Sequence, residues 1–73
     1  MKVYIVSDDR HGDGSEIHGV YDSLNKAMND NCFGNRESYG NWIAQDPSTG
    51  VLCIAIHKQF SSARLAIFEW DVE

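Results

Sequence analysis

Basic side chains are scarce in this chain. Six Lys and Arg stand against 11 Asp and Glu, for a formal net charge of −5. The six are scattered, so the clustered cations that displace counterions from a phosphate backbone are missing, and direct nucleic-acid binding is not expected. The same lack disfavours an anionic membrane surface. Long apolar runs are missing too. Val3–Val6 is too short for a secretory leader, and no stretch approaches membrane-spanning length, so the expected location is the cytoplasm. Asn-x-Ser/Thr sites are absent. Cysteine is limited to Cys32 and Cys53, whose spacing is not of a metal-binding type. Two reduced thiols are the expected reading, with one disulfide as the alternative.

What remains is a chain of 73 residues, 42% of them hydrophobic. That supports one core and a single domain over residues 1–73, and it is too rich for disorder. A chain this small buries only about 60% of its unfolded surface, so good packing or a partner has to make up the margin.

The opening third reads as strand, loop, strand, helix. Lys2–Ser7 is β-branched and aromatic, Asp8–Ser15 (DDRHGDGS) has loop composition, and Glu16–Tyr21 is a second strand. Asp22 and Ser23 are good N-caps, and Leu24, Ala27, Met28 and Asn31 or Cys32 share a helical face, which predicts a helix over 23–33 closed by Gly34. Residues 34–41 lack periodicity. Strands are expected at 42–45, 51–58 and 63–72, separated by the Asp46-Pro47-Ser48-Thr49-Gly50 turn and a turn at 59–62. The expected fold is α+β, in the order ββαβββ, with one helix packed on one face of a small antiparallel sheet.

Alternation along the strands makes both sheet faces partly apolar. One helix covers one face. Either residues 34–41, with Tyr39 and Trp42, cover the other, or a second protein does. Tyr4, Phe68 and Trp70 are aromatic residues of the kind that anchor interfaces, and Phe60, in a turn, is either folded back on the sheet edge or exposed for contact.

No catalytic or metal motif emerges. A calcium loop begun at Asp9 would place His11 at its third position and Val20 at its twelfth, where oxygen ligands are required. Gly12-Asp13-Gly14 lacks the third glycine of a dinucleotide fingerprint. His11, His18 and His57 have no ligand-type spacing. A contact between His18 and His57 on adjacent strands, or a Cys53–histidine pair, is conceivable, but so small a chain has little room for a cleft. No cofactor and no metal are expected, and no enzymatic activity. Asp8, Asp9, Asp13 and Glu16 make an acidic loop, and Glu69, Asp71 and Glu73 an acidic strand edge. Nucleic-acid mimicry, solubility and protection of an edge strand all account for such charge.

Val3-Tyr4, then Ile17-x-Gly19-Val20-Tyr21, the Ser23-capped stretch with Lys26 and Ala27, and the closing Ile67–Val72 strand resemble a family of small phage and bacterial proteins of unknown function. The resemblance covers about half of the chain and leaves 32–62 unmatched. It implies a phage-type accessory context, in which such proteins bind and inhibit a host protein complex, restriction and CRISPR defence systems among them. The expectation is thus a non-enzymatic protein that works inside the bacterial host. Its contact surface would be the uncovered sheet face together with the acidic loop: Asp8, Asp9, Asp13, Glu16, Tyr4, Phe60, Phe68 and Trp70. The alternative is a self-associating homodimer module.

Overall fold

The computed structural model describes residues 1–10 and 15–72. Its strands are β1 (Lys2–Arg10), β2 (Ser15–Tyr21), β3 (Ile43–Ala44), β4 (Val51–Ile56) and β5 (Ala63–Asp71), with the helix α1 (Leu24–Met28) between β2 and β3. They form one antiparallel sheet in the order β2-β1-β5-β4-β3. The fold is a small five-stranded sheet with one short helix.

The centre is the β1–β5 pair, in unbroken register from Lys2↔Asp71 to Arg10↔Ala63. That length is why Asp8, Asp9 and Arg10 continue β1 instead of starting the expected loop. β5 offers them ladder partners in Leu65, Arg64 and Ala63. The chain after α1 also departs from expectation, because the helix stops at Met28 and not near residue 33. Asn29, Asp30 and Asn31 compete for backbone hydrogen bonds. The Asp30 carboxylate accepts the Cys32 N–H at 2.6 Å, and the backbone turns into a 3-10 turn at Cys32–Gly34. Ser23 is the N-cap, its Oγ accepting the Lys26 N–H at 3.2 Å.

Two β-bulges break the alternation. Between β1 and β2, Val6 pairs with Gly19 but Ser7 pairs with Ile17, so His18 is the extra residue. Between β4 and β5, Val51 pairs with Phe68 and Cys53 with Ile67, so Leu52 is the extra one. Leu52 consequently packs against the same core as Cys53 and Ala55, although strict alternation places it on the opposite face.

The core lies on the α1 side of the sheet. Val6, Leu65, Ile67, Cys53 and Ala55 meet Ala27, Cys32 and Tyr39 there. Leu65 and Ile67 are fully buried, each contributing about 1.5–3 kcal/mol. Residues 34–42 thicken this same layer. Tyr39 is buried, the Trp42 indole N–H donates to the Met28 carbonyl at 3.1 Å, and the Arg36 guanidinium lies 4.9 Å over the Trp42 ring. Of the two expected alternatives, the one in which residues 34–41 with Tyr39 and Trp42 cover the other face does not hold, because their partners are on the helix side. Both cysteines are buried free thiols. Among the described residues, no helix is long and apolar enough to cross a membrane.

Candidate functional site

Cross-strand partners share a face, so the ladders define the side opposite α1. Val20↔Ile5↔Phe68↔Val51 is one row across four strands, and Ile17↔Ser7↔Ala66↔Ile54↔Ile43 crosses all five. Val3↔Trp70 adds a third row at one end, and Ile56↔Arg64 brings the charge of Arg64 to the other. Trp70 is 64% exposed, Ile17 59%, Val20 56% and Ile43 49%. Among the described residues no helix lies over this surface. Gln45 and Thr49, beside the β3–β4 turn, help wall a shallow hollow of about 160 Å³ over Ala66 and Ser7. An apolar row continuous across four strands differs from scattered surface hydrophobes.

The expected contact residues do not gather on this face. Phe68 and Trp70 are there. Tyr4 is on the α1 side, packed against the core, because it alternates with Val3 and Ile5 and pairs with Tyr21 and Glu69. Asp8 is not a loop residue at an accessible surface: its side chain is 1% exposed and lies 3.6 Å from His18 Nε2. Asp9 continues β1 opposite Ser15 and Arg64, and Glu16 is exposed on β2 opposite Asp8. Asp13 lies outside the described residues, as do His11, Gly12 and Gly14, and Glu73. Phe60 is exposed, with its ring centroid 5.0 Å from that of His57. The acidic strand edge is partly paired, Glu69 with Lys2 at 3.2 Å and Asp71 with the N-terminal amine at 3.4 Å.

A polar cluster lies beneath α1. The β2 bulge turns His18 inward, where its side chain is 1% exposed. Asp30, at the end of the helix, accepts a short hydrogen bond from the Tyr21 hydroxyl on Oδ2 and the Cys32 N–H on Oδ1. Donor atoms of His18, Asp30 and Cys32 all lie within 4.8 Å of one another. Burial first, then the charge of Asp30, pushes the Cys32 thiol up to about 11. Burial also pushes the Asp30 carboxyl up, but the hydrogen bonds from Tyr21 and Cys32 outweigh it and hold the group below the usual carboxylate range. The same bond to Asp30, with burial, holds the Tyr21 phenol above its ordinary value.

Strand alternation alone conceals this cluster, because it assigns His18 to the face opposite Gly19. The available signal is Gly19 itself, a glycine inside a strand pattern and hence a bulge marker. The conceivable His18–His57 contact does not form: β1 and β5 separate β2 from β4, and His57 instead packs on Tyr39 with ring centroids 5.0 Å apart. Comparisons with protein-family models, with curated proteins and with solved structures find no match for this chain.

Proposed function

We propose that this chain is a non-enzymatic binding domain that acts by seating its open apolar sheet face on another protein. The observation that carries the reading is the pair of largely apolar rows, Val20–Ile5–Phe68–Val51 and Ile17–Ser7–Ala66–Ile54–Ile43, on the face that no described helix covers: Val20, Ile17 and Ile43 are exposed, Ile5, Phe68, Val51 and Ile54 half-buried, and Ser7 and Ala66 buried at the middle of the sheet. Trp70 and Phe68 are the anchor residues of that surface. The fitting partner presents an apolar patch with a cationic margin, complementary to a chain of net charge −5. The partner class follows from the resemblance to phage accessory proteins: a host protein complex in the bacterial cytoplasm, blocked by occlusion, with defence systems such as CRISPR or restriction as first candidates. The thiols support a non-catalytic reading, since a nucleophilic cysteine needs a lowered pKa and access, whereas Cys32 and Cys53 are buried and raised.

A second reading is a symmetric dimer that packs two open faces back to back. The near absence of charge on the apolar rows favours it, because such a face is self-complementary without charge pairing. Light scattering over a dilution series, with capture from a bacterial lysate by wild type and a Trp70→Glu/Val20→Glu double variant, tests both. A monomer that captures a stoichiometric complex, lost in the folded double variant, supports host docking. A dilution-stable dimer that the double variant dissociates supports the second reading. A monomer whose capture is unchanged by the double variant overturns both.

A further inference from the structure

We propose that His18, Asp30 and Cys32 form a buried binding site for a divalent metal ion of zinc type. The donor set is one imidazole nitrogen, one carboxylate oxygen and one thiolate sulfur, all within 4.8 Å of one another. Zinc accepts this N/O/S mixture in tetrahedral geometry, with bonds of about 2.0–2.3 Å that put ligand atoms on the order of 3.5 Å apart. Side-chain adjustments on the order of 1 Å close the set. A sulfur ligand and an imidazole do not suit calcium or magnesium, which take oxygen.

The three ligands come from three separate pieces of backbone, and each has a specific local cause. The bulge opposite Val6 and Ser7 turns His18 to the inside. The break after α1 brings Asp30 back under the sheet, bonded to Tyr21. Cys32 adopts φ 53°, the left-handed region that a residue with a Cβ rarely enters, and thereby points its thiol into the core. The missing Cβ of Gly19 lets the Asp30 carboxylate approach the strand, since an added Cβ would lie 2.8 Å from Asp30 Oδ2. A carboxylate has about four lone-pair sites, and Tyr21 and Cys32 use one on each oxygen of Asp30, so capacity for an ion remains. Asp8 Oδ2 lies 3.6 Å from His18 Nε2, close enough that a small shift would form the carboxylate–imidazole hydrogen bond that orients ligand histidines. The ion would displace the thiol proton to solvent on binding, and its two positive charges would offset the thiolate and Asp30. Three protein ligands leave the fourth tetrahedral position to a water.

The test uses the full chain, stripped with chelator and titrated with cobalt(II) and then with zinc chloride. Cobalt is expected to give a thiolate-to-metal charge-transfer band and tetrahedral ligand-field bands, both lost on adding zinc. Cys32→Ser removes the charge-transfer band and Cys53→Ser keeps it, while Asp8→Asn weakens zinc binding about 10- to 100-fold. Should Cys32→Ser fail to fold by circular dichroism, alkylation mapping of the wild type in mild urea decides: zinc slows modification of Cys32 and leaves Cys53 unchanged. No charge-transfer band in the wild type overturns the site. So does a band that survives in Cys32→Ser, or zinc protection equal at both cysteines.

Discussion

Gly19 lies against the carboxylate of Asp30. A Cβ built on Gly19 would come within 2.8 Å of Asp30 Oδ2 and 2.9 Å of the Tyr21 ring and hydroxyl. The strand glycine therefore reserves the space in which the Tyr21–Asp30 hydrogen bond forms, and that bond fixes where the chain turns after α1.

Gly19→Ala is expected to destabilise the fold by about 1–3 kcal/mol, the usual cost of overpacking a tight site. The displaced atoms are side-chain ends, but they are bonded to each other and, through Asp30, to the Cys32 backbone, so they do not move independently. Urea unfolding checks this. A variant as stable as the wild type would mean that the Asp30 turn shifts at no cost.

Tyr21→Phe is expected to cost about 1.5–3 kcal/mol near neutral pH, since it removes the hydroxyl donor to a buried carboxylate. The pH dependence has a definite sign. Asp30 titrates below its unfolded value in the folded protein, so its contribution is present above an unfolded pKa of about 3.9 and is lost as the pH falls through the folded one. The wild type should thus lose stability on acidification more steeply than Tyr21→Phe. Parallel acid profiles from urea melts at several pH values would contradict the assignment.

These residues also mark where the sequence is readable and where it is not. The strands at 2–7, 16–21, 51–58 and 63–72 are evident from β-branched and aromatic runs, and Ser23 from its capping position. The destination of the 34–42 segment is not, because Tyr39 and Trp42 are equally able to cover either face. The choice depends on where α1 ends, and Asp30 sets that end through a tertiary bond to Tyr21. The faces fail for a different reason. A period of two predicts facing only while strands keep register, and the extra residues His18 and Leu52 each reset it. Asp8 reads as a loop acid from its neighbours, yet the length of β5 draws it into the sheet. The open face was legible in part: Phe68 and Trp70 alternate correctly, whereas Tyr4 belongs to the opposite side.

Neither cysteine should react readily in the native protein. With its thiol raised from 9.0 to about 11, Cys32 holds about 100-fold less thiolate near pH 8 than an ordinary cysteine, and reagents must also reach a side chain with no exposed surface. Cys53 is raised by burial alone. Iodoacetamide labelling followed by intact mass should show an unmodified native chain and two modifications once urea passes the unfolding midpoint. Fast native labelling at either position would place that thiol at the surface.

The contrast between the two sheet faces gives the sharpest stability test. Leu65 and Trp70 are both large β5 residues, five apart, and alternation puts them on opposite sides of the sheet. Leu65 is fully buried in the α1-side core, so Leu65→Ala should cost about 2–5 kcal/mol through lost burial and the cavity left behind. Trp70 is 64% exposed beside Val3 on the open face, so Trp70→Ala should change the monomer by no more than about 0.5 kcal/mol. Chemical denaturation at low protein concentration separates them. A loss of several kcal/mol for Trp70→Ala at a concentration where the chain is monomeric would mean that its own residues already cover the open face, and the docking surface would have to be abandoned.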